Sequence, residues 1–436
     1  MKRAIVIGGG LAGSEASLQL AKRGINVELY EMRPIIQTGA HKTDKFAEFV
    51  CSNSLGSYDL TNASGLLKHE IEILGSELMP IVKESQVPSG GALAIDRNLF
   101  STIVTNKILT NPNINVKREE ITSLNFDAPV IIATGPLTSE SFSKEIKKFI
   151  GEEYLYFFDA IAPIVEKNSI NFDKAFYLNR YNKGSADYIN CPMNKEEYEK
   201  FYNILINAPK IELKTFEQNA KFFESCLPIE VLASRGFDTL RFGPMKPVGL
   251  IDERTGEENY AVVQLRQDNK AAELYNLVGF QTNLKWGAQK ELLQSIPGLE
   301  NVNIVRYGVM HRNTFINSPK ILNPTLQTTK NPNIFFAGQI TGTEGYTESI
   351  ASGVLAGINM ARFINSEKLL ELPEETMLGA LMNYITYKEH SLFQPINSNW
   401  GILPNTELDK KIKKNKKLKN EFLANRAIKK ISEIIF

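Results

Sequence analysis

The sequence predicts an α/β fold in which a domain built on a parallel sheet is interrupted by an inserted α+β domain. Three observations support this prediction. The chain opens with a strand–helix–strand pattern over residues 3–31. Two further short apolar runs, residues 129–135 and 333–338, each end in glycine, as expected of buried parallel strands. Between them, residues 156–327 change to short alternating strands, aromatic residues and polar loops.

The opening pattern is the clearest local signal in the chain. Residues 3–7 are an apolar run that stops at glycines, and residues 12–22 follow as a helix with small residues on one face. Gly24 ends this helix, because glycine readily adopts the conformation that terminates helices. Residues 26–30 form the next strand, with Glu31 at its end. These elements predict a βαβ unit.

The return of the buried-strand pattern near the C-terminus predicts a discontinuous first domain. We assign residues 1–155 to its first part, residues 156–327 to the insertion and residues 328–436 to its second part. The apolar spacing predicts a helix over residues 59–85, and residues 115–121 are predicted as a strand. A helix over residues 349–364 and a basic helical tail complete the second part.

Bulk composition excludes several classes of protein. The net charge is +1, so any nucleic-acid site has to be a local patch. Three cysteines in 436 residues do not make a disulfide framework and fit a reducing compartment. The first strand starts at Arg3, without room for a signal peptide, and no run of 18 apolar residues occurs. We therefore expect a cytoplasmic protein without a membrane span. Nothing in the sequence fixes the oligomeric state.

The loop after the first strand carries a dinucleotide-binding motif. A GxGxxG pattern needs glycines for the tight turn and for close approach of the backbone to a pyrophosphate, which the helix N-terminus then attracts. Glu31 lies 18 residues after the last glycine, where an acid hydrogen-bonds ribose hydroxyls. The predicted contacts of the motif are Gly8, Gly9, Gly10, Leu11, Ala12 and Gly13. A purely structural glycine turn is the alternative.

Two later segments favour FAD over NAD as the dinucleotide. The strand that ends at Gly135 resembles the second strand-to-glycine signature of FAD-dependent proteins. The segment from Gly338 and Gln339 to Gly345 and Tyr346 resembles their third, where a helix N-terminus faces the polar edge of the flavin. Together with the first loop, these segments predict a Rossmann-like FAD-binding domain.

The cysteines are placed for chemistry other than disulfide exchange. Cys51, Cys191 and Cys226 are far apart in sequence, and no two form a CxxC pair. Beside a flavin-type glycine loop, lone cysteines indicate a thiolate that works as nucleophile or base. The alternative for each is a small buried hydrophobic residue. We expect Cys191 to be structural.

The most specific motifs lie around two of these cysteines, and they resemble the folate- and FAD-dependent tRNA (uracil-5-)-methyltransferases. The resemblance runs from the first glycine loop to residues 338–353. Flavoproteins of the glucose-inhibited division A type share the first and last glycine motifs but lack the arrangement around Cys51 and Cys226. The motifs that carry the resemblance are residues 31–34, 41–48, 50–55, 88–97, 156–160, 223–230 and 343–346.

The resemblance implies 5-methyluridine formation in the tRNA T-loop, with FAD as cofactor and methylenetetrahydrofolate and NAD(P)H as co-substrates. A thiolate added at uracil C6 activates C5 for attack on a one-carbon electrophile. A hydride from reduced FAD takes that carbon to the methyl level, and a base removes the C5 proton. By resemblance, Cys226 is the nucleophile and Cys51 the base, although the roles could be exchanged. Arg241 and Lys246 are candidate cations beside a thiolate.

Other residues keep two interpretations each. Arg97 either holds an FAD phosphate or pairs with an acid. His41 is a candidate flavin or folate contact, and because it has no partner at metal-ligand spacing, no metal site is predicted. His311 is expected on the surface or in the core. The lysine-rich segment from Lys410 to Lys419 is either an RNA-backbone contact or a solvated helical face.

Three alternatives to tRNA methylation stay open. The same chemistry on a large-subunit rRNA uridine is the nearest. A flavin NAD(P)H oxidoreductase without an RNA substrate predicts turnover unaffected by folate. A non-catalytic flavin-bearing interaction protein predicts that Cys226→Ala changes no turnover.

Overall fold

The first strand of the chain lies at the centre of a parallel sheet, as the sequence predicts. The computed structural model describes residues 2–152, 154–182, 186–211, 227–252, 254–256, 259–390, 393–404, 406, 412 and 414–435. Within them the strands are β1 (Arg3–Ile7), β2 (Asn26–Tyr30), β3 (Ser54–Ser57), β4 (Gln86–Val87), β5 (Ala92–Ile95), β6 (Ile114–Lys117), β7 (Val130–Ile132), β8 (Leu155–Ala160), β9 (Ile164–Glu166), β10 (Phe176–Tyr177), β11 (Tyr188–Met193), β12 (Ala261–Gln267), β13 (Leu274–Leu277), β14 (Ile304–Arg306), β15 (Met310–Phe315) and β16 (Ile334–Phe336).

Helices cover the sheets and close the C-terminal part. In the same residues they are α1 (Leu11–Lys22), α2 (Ala63–Ile73), α3 (Met79–Glu84), α4 (Arg97–Leu109), α5 (Glu140–Ile150), α6 (Lys195–Asn207), α7 (Ile229–Ser234), α8 (Thr239–Phe242), α9 (Trp286–Gln294), α10 (Ser318–Ile321), α11 (Tyr346–Ile364), α12 (Met377–Thr386) and α13 (Lys416–Ile435). None of these helices is both long and apolar enough to cross a membrane.

The parallel sheet has the strand order β16-β7-β1-β2-β6, and every neighbouring pair is parallel. Val6 of β1 lies opposite Leu29 of β2 and Ile131 of β7. All three side chains are buried, because helices cover both faces of such a sheet. The last strand, β16, comes from the C-terminal part of the chain, which confirms the predicted α/β class and the return of the chain to the first sheet.

Helices α1 and α11 pack backbone against backbone, most closely at Gly353. A Cβ at Gly353 would lie 2.4 Å from the carbonyl oxygen of Ala12, so only glycine permits this approach. The contact places the N-terminus of α11 beside the loop that starts α1. The two predicted glycine segments are therefore brought together by helix packing as well as by the sheet.

Two predicted elements differ from those found. The helix predicted over residues 59–85 is broken into α2 and α3 at Gly75, where φ is +80°. The buried carboxylate of Glu15 accepts the backbone N–H groups of Glu77 and Leu78, both at 2.9 Å, and so stabilises the break. The strand predicted over residues 115–121 ends at Lys117, where its pairing with β2 stops.

The inserted part forms a second layer around an antiparallel sheet. Its six strands have the order β10-β11-β12-β13-β9-β14, and α6, α7 and α9 contribute to the same apolar core. This core draws on residues 165–302, whereas the core of the parallel sheet draws on residues 4–157 and 315–431. Strands β8 and β15 pair with each other, and Phe157 and Phe315 from these strands belong to the core of the parallel sheet. The boundaries at residues 155/156 and 327/328 stay a prediction.

Candidate active site

The glycine loop after β1 is shaped by contacts that exclude side chains. Gly8 has φ +102°, and a Cβ there would lie 2.5 Å from the carbonyl oxygen of Ala133. A Cβ at Gly13 would lie 1.8 Å from the carbonyl oxygen of Gly8. The first turn of α1 is therefore pressed against the loop, and the third glycine of the motif has a packing role.

A cleft of about 1000 Å³ opens where β1, β7 and β16 end. Most of the predicted cofactor residues line it, from all three glycine segments: Gly8, Gly9, Gly10, Leu11, Ala12, Glu31, Gly135, Gly338, Gln339 and Tyr346. His41 also lines this cleft. Gly13 lies behind the loop. Gly345 lines an adjoining cavity instead.

The cleft fits the diphosphate of a dinucleotide at the start of α1. Gly10 is the N-cap residue of this helix, and no side chain in the described part of the protein caps it. A Cβ at Gly10 would meet nothing within 4 Å, so the space above this backbone is open. Unpaired N–H groups at a helix N-terminus attract phosphate. These residues would hold the FAD pyrophosphate.

Glu31, the predicted ribose contact, lines the cleft and is already engaged by the protein. Its carboxylate accepts the Gly9 N–H at 2.9 Å and the Arg33 Nε–H at 2.9 Å. Burial opposes ionisation, but the hydrogen bonds and charge of Arg33 outweigh it, so the pKa of Glu31 is lowered. An ionised acceptor fits a ribose hydroxyl, which would share the carboxylate with Arg33 and Gly9. Sequence reasoning did not select Arg33, although it stands in the motif over residues 31–34.

A second cavity of about 1520 Å³ adjoins the cleft. Five residues line both spaces and form their common wall: Val50, Pro136, Leu137, Gln339 and Tyr346. Cys51 lines the second cavity directly behind this wall. The predicted reactive thiol therefore lies where the cleft and the second cavity meet.

Cys51 and Tyr346 form a close pair. The Tyr346 hydroxyl oxygen lies 2.8 Å from Cys51 Sγ and also accepts the Cys51 backbone N–H at 2.8 Å. Desolvation by the surrounding protein, followed by the charge of Asp159, raises the pKa of Cys51 to about 11, although the Tyr346 hydrogen bond opposes this shift. The thiol is therefore protonated at neutral pH in this arrangement.

Of the second predicted thiol, Cys226, and its candidate cations, Arg241 and Lys246, only the cations are among the described residues. Cys226 lies outside the described residues, so the predicted meeting of the two sulfurs stays a prediction. Arg241 binds Asp238 at 2.6 Å, and its guanidinium lies 3.5 Å from the centroid of the Tyr260 ring. Neither Arg241 nor Lys246 is among the residues that line the two spaces. Cys191 is fully buried in the second core, as expected of a structural cysteine.

Arg97 lies beneath the Cys51 loop and does not line the cleft. Its guanidinium donates to Asp268 at 2.6 Å and to the backbone carbonyls of Phe49 and Cys51. The structure therefore shows the second of its two interpretations, pairing with an acid. A phosphate contact stays a prediction that this placement does not support.

The second cavity contains residues that sequence reasoning missed. His311 lines it, and burial lowers its pKa to about 4, so the ring is neutral. Asp159 lies opposite His311 in the β8–β15 pair, and it lines the same cavity. Glu344 also lines it, and burial, followed by the charge of Asp159, raises the pKa of Glu344 well above its ordinary value. The motif at residues 156–160 was a signal for Asp159, but only the strand register shows that it lies opposite His311.

The fold and the cleft define a flavoprotein-type dinucleotide-binding protein. A family profile described as "Glucose inhibited division protein A" matches residues 3–368. Two crystal forms of Aquifex aeolicus GidA share the fold, with a TM-score of 0.70 at 18% identity. The alignments cover 99% of this chain and 73% or 75% of those chains.

More similar sequences narrow the assignment. A Halalkalibacterium halodurans protein named "Methylenetetrahydrofolate--tRNA-(uracil-5-)-methyltransferase TrmFO" is 57% identical over 99% of this chain and 98% of its own length. The Bacillus subtilis protein of the same name is 58% identical over 98% of each chain. The chain belongs to this methyltransferase family, within the glucose inhibited division protein A group. The resemblance stated from sequence is confirmed.

Proposed function

We propose that the chain is a methylenetetrahydrofolate- and FAD-dependent tRNA (uracil-5-)-methyltransferase that makes 5-methyluridine in the T-loop. The observation that carries the proposal is the position of Cys51 Sγ. It lies behind the wall shared by the dinucleotide cleft and the second cavity, 2.8 Å from the Tyr346 hydroxyl. This position supports the proposal, because a thiol there would lie next to both the proposed flavin cleft and a second cavity that could take substrate. The names and full-length similarity of the relatives support the same reaction.

The chemistry divides between the thiols and the cofactor. A thiolate adds to uracil C6 and makes C5 nucleophilic, and a second group removes the C5 proton. We assign these steps to Cys226 and Cys51, in that order. FAD, when bound, supplies the hydride that takes the transferred carbon to the methyl level. NAD(P)H is proposed as the source of that hydride.

The second cavity suits an RNA base that has left its stack. A uridine inside a folded RNA has to be extruded before its C5 can reach a reacting group. The cavity wall includes Trp400 and, from the N-terminal end of α13, Lys416 and Asn420. Lys416 is exposed, and the side-chain amide of Asn420 fixes the helix to the Thr61 carbonyl at 3.0 Å. We propose that the exposed lysines of this helix contact the RNA backbone, while the base enters the cavity.

The deciding experiment is methyl transfer from methylenetetrahydrofolate to purified transcripts with NADPH. Transcripts of tRNA and of large-subunit rRNA are tested separately, with Cys51→Ala and Cys226→Ala as inactive controls and Cys191→Ala as the matched control. We expect only the unmodified chain and the Cys191→Ala variant to transfer methyl groups to the tRNA transcript. Because truncating a buried cysteine can destabilise the fold, FAD content is measured for each variant.

Each other outcome favours a different interpretation. Transfer to the rRNA transcript alone changes the substrate and keeps the chemistry. NADPH oxidation without folate-dependent transfer to either RNA contradicts the proposal and favours a flavin oxidoreductase. A cytoplasmic location and NAD(P)H as the reductant stay predictions.

A further inference from the structure

The backbone that carries Cys51 is held by guanidinium groups at three successive carbonyls. Arg97 Nη1 donates to the carbonyl oxygens of Phe49 at 3.2 Å and of Cys51 at 3.1 Å. Arg306 Nη2, from β14, donates to the carbonyl oxygen of Val50 at 2.6 Å. The loop therefore cannot move without breaking charge-assisted hydrogen bonds, which are stronger than neutral ones.

Asn53, two residues after Cys51, joins this loop to the inserted domain. Its side-chain amide donates to the Ile95 and Gln267 carbonyls, both at 2.9 Å. Its Oδ1 accepts Arg266 Nε–H at 3.1 Å and Asn276 Nδ2–H at 3.0 Å. All four of these bonds are inside the protein, because Asn53 is fully buried. They use the full hydrogen-bonding capacity of an asparagine side chain.

Asp268 closes the network from the inserted side. Its Oδ1 accepts Arg97 Nη2–H at 2.6 Å and Asn276 Nδ2–H at 3.1 Å. The side chains of Arg97 and Asp268 are 11% and 3% exposed. Apolar side chains of similar volume often stabilise a fold as well as a buried ion pair does, so stability alone does not account for this pair.

We propose that Asn53, Arg97 and Asp268 are positioning residues, which fix Cys51 relative to the inserted domain in whose sequence Cys226 lies. The inference rests on the proposed function, because only that reaction requires the two thiols to meet at one uracil. Reacting groups have to be held in a near-attack geometry, and a displacement of about 1 Å can cost about 100-fold in rate. A buried network that spans the two domains at the Cys51 loop supplies such a constraint.

The test variant is Asp268→Asn, which keeps the shape of the side chain but removes the charge that neutralises Arg97. Asn276→Ala is the second variant, because it cuts the links to Asn53 and Asp268 without changing the Cys51 loop itself. The matched control is Asp187→Asn. Asp187 is also a carboxylate of the inserted part that reaches the first domain, where it accepts the Gly90 N–H at 2.6 Å, and it lines neither space.

Two readouts separate positioning from general weakening of the fold. The first is kcat and KM for methyl transfer to the tRNA transcript, per bound FAD. The second is the rate at which iodoacetamide alkylates Cys51, followed by peptide mass spectrometry with buried Cys191 as internal reference. For Asp268→Asn and Asn276→Ala we expect kcat to fall about 10-fold or more, KM and FAD affinity to stay within about twofold, and Cys51 to be alkylated faster. Asp187→Asn is expected to keep both rates.

The outcomes test the positioning role separately from the proposed methyltransferase function. If kcat per FAD and the alkylation rate stay within about twofold in both network variants, the positioning role is wrong. An equal loss in Asp187→Asn also overturns it, because any loosening between domains would then suffice. If the unmodified chain transfers no methyl group, the proposed function fails, and unchanged Cys51 alkylation in the variants would still overturn the positioning role. If Asp268→Asn does not fold, Asn276→Ala decides.

Discussion

Replacing Gly10 by alanine tests the dinucleotide cleft without disturbing the chain around it. Gly10 has φ −72° and ψ −168°, a conformation open to any residue, and an added Cβ would meet nothing within 4 Å. Exchanging glycine for alanine at such a compatible position stabilises a protein by about 0.4–1 kcal/mol, because it restricts the unfolded chain. We therefore expect the apoprotein of Gly10→Ala to be at least as stable as the unmodified apoprotein.

The same methyl group should weaken FAD binding. Gly10 lines the cleft at the N-terminus of α1, where close approach of backbone to phosphate requires glycine. Lengthening one charge-assisted hydrogen bond to the pyrophosphate costs about 1.5–3 kcal/mol. Because 1.4 kcal/mol corresponds to a tenfold change, the Kd for FAD should rise about 10- to 100-fold.

Gly13→Ala is the matched comparison, because its methyl group collides with the chain itself. The added Cβ would lie 1.8 Å from the Gly8 carbonyl oxygen and 3.3 Å from Ala133 Cβ. Overpacking costs about 1–3 kcal/mol, and more against backbone, whereas the helix gains about 1 kcal/mol from alanine. We expect this variant to lose both apoprotein stability and FAD affinity.

Both variants are measured by thermal unfolding of the apoprotein and by titration of its tryptophan fluorescence with FAD. The informative result is the separation of the two properties in Gly10→Ala, with weaker FAD binding and an undiminished Tm. FAD affinity of Gly10→Ala within about twofold of the unmodified chain would refute the assignment of this backbone to the pyrophosphate. A lower apoprotein Tm for Gly10→Ala would refute the open space above it.

Two further predictions concern buried titratable groups. Tyr346→Phe removes the hydroxyl that lies 2.8 Å from Cys51 Sγ. Because the hydrogen bond with this hydroxyl lowers the pKa of Cys51, its loss should move the midpoint of Cys51 alkylation against pH upward, and kcat should fall about tenfold. An unchanged midpoint would contradict this role of Tyr346. Burial raises the pKa of Glu70 to about 7, although its carboxylate accepts the Met377 and Leu378 N–H groups at 2.7 and 2.8 Å. The native state therefore holds this proton more tightly than the unfolded chain does. The free energy of unfolding is thus greatest below the ordinary pKa of a glutamate, and it falls by up to about 3 kcal/mol as pH rises to 7. Glu70→Gln should flatten urea-derived unfolding free energies between pH 5 and 7.5, and an equally steep fall in this variant would exclude Glu70 as its source.

The parts of the fold that sequence predicts are those specified by neighbouring residues. The run from Arg3 to Ile7, its glycines and the following helix define a βαβ unit locally. The same reasoning fails at Gly75, where the apolar spacing continues but the chain turns. The break depends on Glu15, which is distant in sequence and supplies acceptors for Glu77 and Leu78. A contact of that kind leaves no periodic signal.

In the candidate site too, residues with a local motif were predictable, and residues that depend on distant contacts were not. The glycine segments and Cys51 were predictable because each has a local motif, and the sheet then brings their ends together. The Arg97–Asp268 ion pair and the cross-strand positions of Asp159 and His311 were not, because they depend on docking of the inserted domain and on the register of β8 with β15. Residue type alone left Arg97 with two roles, and only its position beneath the Cys51 loop separates them.

The protonation state of Cys51 constrains both roles that sequence left open for it. A base and a nucleophile each have to begin as thiolate, yet a pKa of about 11 leaves about one thiol in ten thousand ionised at pH 7. Arg97 does not relieve this, because its guanidinium is directed at Asp268 and at backbone carbonyls. Tyr346 is no better as a proton acceptor, since burial raises its pKa well above the ordinary value. The structure therefore holds the thiol in position but uncharged. In the proposed reaction Cys51 has to lose its proton when ligands bind. Glu344 lines the same cavity, and its raised pKa lies closer to that of a thiol than the pKa of an ordinary carboxyl does.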